Sequence, residues 1–496
     1  MRLIKLMTSK LYDDNQEQMT LSPESLSDLD IKGLTADSRD VRKGYLFAAL
    51  KGMRHDGAQF IDLAVQNGAV AVLAEEGTKV PDGIALITDK NVRRRFAIMA
   101  ANFYGTQPEH IVGVTGTNGK TSTVHFTQQL WQLMGQKAAS LGTLGVHGYG
   151  IRRGGGMTTP DPVVLHSSLA DVAAAGVTHL AMECSSHGLD QSRMDGVRMT
   201  AAAFTNLTQD HLDYHGTMED YAKAKANLFS RVLMPGGTAV INADADFADM
   251  MIETAKTRGQ RILTFGQKGH EIRLKEQKPN ALGQDLVLEV LGKEYKINLP
   301  LIGLFQAYNV MSALGLVMAE ILDDHENIEK LVGLLTHLKG VDGRLELIEG
   351  HPKGAAVYVD YAHTSDALEK VLSAIRPHTK GRIITVFGCG GDRDKGKRPL
   401  MGKAASDLSD VVIVTDDNPR SEDAEIIRTE VMAACKEDTL NIGDRKLAIE
   451  KAIEIAQNGD VVVLAGKGHE NGQVIKGETI PFDDRDEARK AILGMK

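Results

Sequence analysis

Cysteine is scarce: Cys184, Cys389 and Cys435 are the only three in 496 residues, odd in number and far apart. That scarcity excludes a disulfide framework and the paired spacing of a zinc site, and it fits a reducing compartment. Long apolar runs are missing too. No stretch approaches the run of about 18 apolar residues that a membrane span needs, and the opening MRLIKLMTSKLYDD lacks the apolar region and small-residue cleavage site of a secretory signal. A cytoplasmic location without a membrane span is the expectation. Nor is there an excess of basic charge: 57 Lys and Arg stand against 66 Asp and Glu, for a net charge of −9 and a pI near 6.0. A sequence-independent nucleic-acid binder needs basic surface to displace counterions. No nucleic-acid partner is expected, and any anionic ligand must be held locally.

The remaining composition is that of a globular chain, 42% hydrophobic and 25% charged. At about 150 residues per domain the length calls for roughly three domains. The most informative stretch is Ile111 to Thr123, IVGVTGTNGKTST, an apolar β-branched run entering a glycine turn that carries Lys120 and Thr121. A strand turning sharply into a helix aims backbone N–H groups and the positive helix end at an anion, while lysine neutralises and threonine can hold magnesium. Phe126, Leu130, Leu133 and Met134 follow at helical spacing. The turn departs from the standard P-loop, which wants a glycine where Val114 stands; here it is the tighter Gly116-Thr117-Asn118-Gly119-Lys120-Thr121. An ordinary glycine turn is the competing reading.

Before this stretch, β-rich pieces at Ala69 to Ala74 and Ile84 to Thr88 read as a small α/β domain. Within it Asp37, Ser38 and Arg39 read, by themselves, as an Asx-type turn with a solvated arginine. Helical Val92 to Phe103 leads through GTQPEH to a domain boundary near residue 106. Strands and helices then alternate, with strands at Ile111 to Thr115, Thr178 to Met182, Ala201 to Thr205, Thr238 to Ile241 and Ile262 to Phe265. Such alternation predicts a mainly parallel sheet with ligands at the carboxyl ends of its strands. The polar clusters fall there: Thr158 and Thr159 in a glycine-rich loop, Glu183 to His187 after one strand, Asn206 to His215 after the next.

Residues Gln267 to Gln284 read as a variable polar stretch, and LPLIGLFQAYNVMSALGLVMAEIL as one more strand and a helix. A second boundary is expected near Gly343. Beyond it, strands at Val357 to Val359, Arg382 to Phe387, Val411 to Val414 and Val461 to Leu464 each run into a charged or glycine loop. Those loops, DYAHTSDALEK, GCGGDRDKGKRP, TDDNPRSED and AGKGHE, occupy the crevice positions of a doubly wound sheet. GCGGDRD does not fit GxGxxG followed by a helix, so a nicotinamide site is not supported.

Magnesium bound with a nucleotide wants a loop hydroxyl and hard oxygen ligands. Thr121 and Glu183 can supply a first ion, although a carboxylate at a strand end can instead cap the next helix. His211 is open between an exposed helix-start histidine and a second magnesium ligand, an unusual role because imidazole suits softer metals. Lys225, in YAKAK, reads by itself as a solvated helix lysine.

Taken together, TxDSRxVxxGxLF, GTNGKT, ExSSH, NLTxDHLDYH with the downstream YxxAK, GRLE, DYAHT and GCGGDRD resemble, in order and over nearly the whole chain, the Mur ligase family of cell-wall enzymes. The resemblance implies three α/β domains: a small N-terminal precursor-binding domain (1–106), a central P-loop ATP-binding domain with a mainly parallel sheet (107–342) and a C-terminal Rossmann-like amino-acid-binding domain (343–496). It implies ATP-dependent amide formation in peptidoglycan synthesis, and with it roles in cell shape and division, by a monomer. A carboxylate of a uridine-diphosphate-muramoyl dipeptide attacks the γ-phosphate of ATP, and an amine then displaces phosphate from the acyl phosphate.

By the same resemblance Gly116 to Ser122, with Asn309, Arg344 and Asp360, hold ATP, and Lys120 serves the γ-phosphate. Thr121, Glu183, His211 and an N-carboxylated Lys225, formed from carbon dioxide, hold two magnesium ions. Ser38, Thr158, Thr159, Ser185, Gln191 and Arg193 bind the precursor. Asp417, Asn418, Pro419 and Arg420 (DNPR), with Arg393, Gly466 and Glu470, select meso-diaminopimelate, whose distal carboxylate suits a guanidinium fork. Two departures stand out. GLFQAYN places Gln306 where the family often has asparagine, which bears on the adenine contact, and Ser365 replaces the proline of DYAHTP. The alternatives are a lysine-adding ligase of the same family, a folylpolyglutamate synthetase, which should lack the DSR-bearing first domain, and a nucleotide-switched binding module, for which no NKxD stretch is present.

Overall fold

The computed structural model describes residues 1–8, 19–52, 55–155, 157–280 and 283–495. The chain forms two compact units, residues Met1–Arg273 with Asn309–Leu331, and Leu274–Tyr308 with Val332–Lys496.

The first unit holds two sheets. The N-terminal one orders its strands Thr20–Ser22, Ala85–Thr88, Ala69–Ala74, Tyr45–Ala48, Gly33–Thr35, parallel except for the first. Helix Val92–Tyr104 packs Phe96, Met99 and Ala100 into its core. Six strands of the larger sheet run parallel in the order Arg261–Gly266, Leu233–Asn242, Met199–Phe204, His110–Thr115, His179–Glu183, Ala138–Gly142. The last four of these are almost continuously buried, as strands covered by helices on both faces must be. A short antiparallel meander, Gly145–Gly148 and Ile151–Arg153, follows.

Helix Lys120–Leu133 begins at Gly119, whose φ of +87° favours glycine, and it buries Phe126, Leu130 and Trp131. The end of helix Leu304–Met318 lies close on the sheet: a Cβ at Gly315 would stand 2.6 Å from a Val240 methyl.

In the second unit a six-stranded sheet runs Glu346–Ile348, Ala356–Asp360, Val461–Ala465, Ile383–Phe387, Val411–Val414, Leu440–Asn441, parallel except at its first edge. Separate apolar clusters fill its two faces, one around Leu372, Phe387 and Met401, the other around Ile449, Ile453 and Ile492.

The polar stretch at Gln267 to Gln284 is corrected: it contains strand Ile272–Asn280, in which Ile272 and Leu274 are buried between exposed charges. Lysines and glutamates on the outer face hide the period-2 signal there. The strand expected within LPLIGL is Lys293–Leu299 instead, paired antiparallel with Gly283–Val290. It stops before Pro300, which has no N–H for the ladder.

Candidate active site

The glycine turn is built as a cradle. Gly116 has φ +148° and Gly119 φ +87°; a Cβ on Gly116 would stand 1.9 Å from the Thr205 hydroxyl, and one on Gly119 2.2 Å from Asn309 Oδ1. Both positions therefore exclude side chains, for reasons of backbone angle and of space. The segment after strand Met199–Phe204 clamps the turn. Thr117 N–H donates to Asn206 O at 2.9 Å and Asn118 N–H to Asn206 Oδ1 at 3.0 Å, while the Thr205 hydroxyl donates to Asn118 O at 2.7 Å. Lys120 Nζ donates to Gly116 O and Thr117 O, each at 2.9 Å, so its charge lies along the inside of the turn. Ser122 is buried in the first helical turn.

Beside the cradle, hydroxyls gather on one carboxylate. Thr121 Oγ1 donates to Glu183 Oε1 at 3.0 Å; Thr143 donates its N–H to the same oxygen at 2.9 Å and its hydroxyl to Oε2 at 3.3 Å. Thr158 and Thr143 share a hydroxyl bond of 3.1 Å. Thr159 joins from the other side: its hydroxyl donates to Glu183 O at 3.1 Å and accepts from Ser185 N–H at 3.0 Å. Arg193 donates to Thr159 O at 2.8 Å and to Gln191 Oε1 at 2.8 Å, and Gln191 Nε2 donates to the Tyr214 hydroxyl at 3.2 Å. Ser185 caps helix Ser186–Asp190. Five of the six residues expected to meet the precursor thus form one network with Glu183. Ser38 stands apart from it. Asp37 and Arg39 form the Asx turn read from the sequence, with Arg39 N–H donating to Asp37 Oδ1 at 2.9 Å, and Ser38 is buried with its carbonyl accepting from Asn67 at 2.9 Å.

His211 and Lys225 differ in setting. His211 opens helix Leu212–His215 at φ +52°, with its side chain 48% exposed and edge-on to His187 at 4.9 Å. Lys225 is not the solvated lysine of the bare sequence. It is 1% exposed, with Nζ 4.3 Å from the centre of the Tyr221 ring. Burial first, then the charge of Lys120, hold its amine well below the ordinary lysine range, and Asp210 opposes them. Burial and Lys120 both move Lys225 toward its uncharged amine.

Hard oxygens from Thr121 and Glu183 suit magnesium. A second ion beside His211 suits this chain only if Lys225 carries an anionic oxygen group, because an ammonium cannot be a ligand.

The second unit gathers its own set. Asn418 Nδ2 donates to Glu470 Oε2 at 3.0 Å, and the fully buried Lys467 donates to Asn418 Oδ1 and Glu470 Oε2, each at 3.2 Å. A Cβ on Gly466 would stand 2.7 Å from Asp417 Oδ2, and one on Gly391 2.0 Å from Pro419 O. Arg420, at φ +53°, donates to Gly391 O at 2.7 Å. Arg393 lies exposed in the same glycine loop and acts electrostatically on Tyr361. Asp360 accepts from Leu345 N–H and Ala362 N–H, both at 2.8 Å, so its first role is to fix the turn that carries Arg344. Arg344 lies over the Tyr361 ring at 4.9 Å, and Tyr361 faces His469 at 5.1 Å. The buried Arg344 Nε and His469 Nδ1 have no hydrogen-bond partner among the described residues. Such groups are costly unless something fills them.

Thr143, Asn206, Tyr221 and Lys467 belong to these sites and were not singled out from the sequence. Three of them lie in quoted motifs (NLTQDH, YAKAK, AGKGHE); Thr143 sits in SLGTLG, which carries no signal beyond its glycines.

A parallel α/β sheet with a clamped glycine cradle at a helix start and a hydroxyl-ringed carboxylate beside it is an arrangement suited to phosphate-handling enzymes. Residues 30–104 match the Mur ligase family catalytic domain, 114–317 the Mur ligase middle domain and 343–468 the Mur ligase glutamate ligase domain. The chain belongs to the Mur ligase family. It is 49% identical over 473 residues, 95% of this chain and 96% of the other, to the UDP-N-acetylmuramoyl-L-alanyl-D-glutamate--2,6-diaminopimelate ligase of Brucella melitensis, and 48% identical over 94% of its length to that of Caulobacter vibrioides, 96% of which is covered. A solved structure of a ligase of this name superposes with a TM-score of 0.73 at 35% identity, covering 100% of this chain and 99% of that one. The match at 30–104 covers the segment that a folylpolyglutamate synthetase was expected to lack.

Proposed function

We propose that this chain is an ADP-forming ligase that joins meso-2,6-diaminopimelate to UDP-N-acetylmuramoyl-L-alanyl-D-glutamate in peptidoglycan synthesis, acting in the cytoplasm as a monomer. The observation that carries the reading is a joint one: a lysine-bearing phosphate cradle whose Thr121 bonds Glu183, in a chain 49% identical over 95% of its length to a ligase of that name. Its domains are taken as 1–106 for the precursor, 107–342 for ATP and 343–496 for the amino acid.

In this reading the precursor's carboxylate oxygen attacks the γ-phosphorus of ATP, the bond to the β-phosphate oxygen breaks, and ADP leaves. The amine of diaminopimelate then attacks the acyl carbon, loses a proton and expels phosphate. Lys120 turns from its loop carbonyls to the γ-phosphate, while the clamp by Asn206 keeps the cradle in shape. Thr121 and Glu183 would hold magnesium, which when bound neutralises charge on the phosphates. An unprotonated Lys225 amine would attack carbon dioxide and lose a proton, leaving a carbamate that with His211 would hold the second ion. Thr158, Thr159, Ser185, Gln191 and Arg193 orient the precursor, with Ser38 on the N-terminal domain. Arg344 and the Tyr361 ring offer the nucleotide a charge and a stacking face, which would satisfy Arg344 Nε. Arg420, with Arg393, Asp417, Asn418, Gly466 and Glu470, meets the distal amino acid end of diaminopimelate.

Lysine lacks the distal carboxylate and presents an ammonium to Arg420, so diaminopimelate is favoured. The test is phosphate release with purified precursor and each amino acid, before and after Arg420→Ala. Turnover with diaminopimelate should exceed that with lysine by about a hundred-fold or more, and the variant should narrow the gap. Preference of the unmodified enzyme for lysine would overturn the assignment.

A further inference from the structure

A second cluster of metal-ligating side chains lies at the opposite end of the strands that carry the cradle. His110 and His179 open neighbouring parallel strands and are register partners. Their rings stack at 4.5 Å with an interplanar angle of 16°, which follows from the strand spacing of about 4.8 Å. Glu320, in the turn after helix Leu304–Met318, reaches both: Oε2 is 3.2 Å from His179 Nε2, and Oε1 is 3.8 Å from His110 Nδ1. One ligand atom from each residue lies within 4.8 Å of the others.

We propose that His110, His179 and Glu320 form a binding site for a divalent transition-metal ion, zinc foremost, separate from the magnesium chemistry of the cradle. Two imidazoles and one carboxylate are a zinc donor set with a fourth position left for water, and they disfavour magnesium. His179 is prepared for the role. Its side chain is 7% exposed, the Trp131 ring packs edge-on at 5.1 Å, and Nδ1 meets the Thr178 hydroxyl at 2.8 Å, so Nε2 is aimed at Glu320. The Thr178 hydroxyl also reaches Lys137 O at 3.4 Å. In the tautomer that carries the ring hydrogen on Nδ1 and donates it to that hydroxyl, the Nε2 lone pair faces the Glu320 carboxylate. A cation between them removes that repulsion. Around tetrahedral zinc the ligand atoms would stand about 3.4 Å apart, closer than here. The movement required falls on His110 and Glu320, whose side chains are 34% and 20% exposed. Glu109 is a further charged group near the pair, 3.9 Å from His110 Nε2.

The bound ion would tie the amino ends of two central strands to the turn behind the helix that brings Asn309 against Gly119.

The test titrates the full-length protein with Co2+ in magnesium-saturated buffer, followed by visible absorption, with Zn2+ as competitor. About one equivalent of Co2+ should bind at this cluster and be displaced by Zn2+, and His110→Ala or Glu320→Gln should weaken it at least about ten-fold. Zn2+ should raise the melting temperature of the unmodified protein by about 2–4 °C and leave that of the variants unchanged. Identical titrations for the unmodified protein and both variants, including no binding by any, would overturn the site. Should a variant fold poorly, anomalous diffraction at the zinc edge from crystals of unmodified protein grown with equimolar Zn2+ decides. Density among the three side chains supports the site, and density only elsewhere rejects it.

Discussion

Strands His110–Thr115 and His179–Glu183 run side by side and meet opposite chemistries at their two ends. At the carboxyl ends stand oxygens: Thr121, Thr143 and the Glu183 carboxylate, next to a lysine-bearing loop. At the amino ends stand nitrogens, two stacked imidazoles with one carboxylate. The same pair of strands thus presents a hard donor set at one end and a softer set at the other, and ligand softness divides magnesium from zinc. The carboxyl end also has what chemistry needs and the amino end lacks: a glycine cradle, and a network of hydroxyls, amide and guanidinium able to orient a substrate.

That contrast can be broken at either end. The largest effect is expected from Lys225→Ala, which should lower ligase turnover by about a thousand-fold or more, with partial rescue by a short carboxylic acid such as acetate. Absence of rescue would count against an anionic oxygen at that position, and native mass spectrometry of the unmodified protein should find about 44 Da of added carbon dioxide on Lys225. Next comes Glu183→Gln, expected to cost about a hundred-fold in turnover and to raise the magnesium concentration at half-activity. An unchanged magnesium requirement would move the ion away from Glu183. The smallest effect belongs to the other end: His110→Ala should change turnover in saturating magnesium by less than about two-fold, because among the described residues its side-chain contacts are Glu109, His179 and Glu320 and none belongs to the cradle network. A large loss there would merge the two ends into one functional unit.

The parallel order of the central strands, the glycine cradle and the crevice loops were legible because β-branched runs, glycines and a helical period lie close together in sequence. Other features needed the third dimension. Lys225 in YAKAK looks like any helix lysine; the packing of its helix against neighbouring helices, with the Tyr221 ring beside it, removes it from water. Thr143 gives no local signal, yet it completes the ring around Glu183 from a strand end 40 residues away. The strand at Ile272–Asn280 was masked by charges on its outer face. His110 and His179 are far apart in sequence, and it is the register of two strands that stacks them.

The clamp that Asn206 and Thr205 place on the glycine turn has a thermodynamic consequence. Fixing a residue's backbone costs about 1–2 kcal/mol of conformational entropy, and here that ordering of Thr117 and Asn118 is completed when the protein folds. A nucleotide bound as proposed would meet a loop already set. Calorimetry should accordingly give phosphate binding at this turn a small entropic penalty.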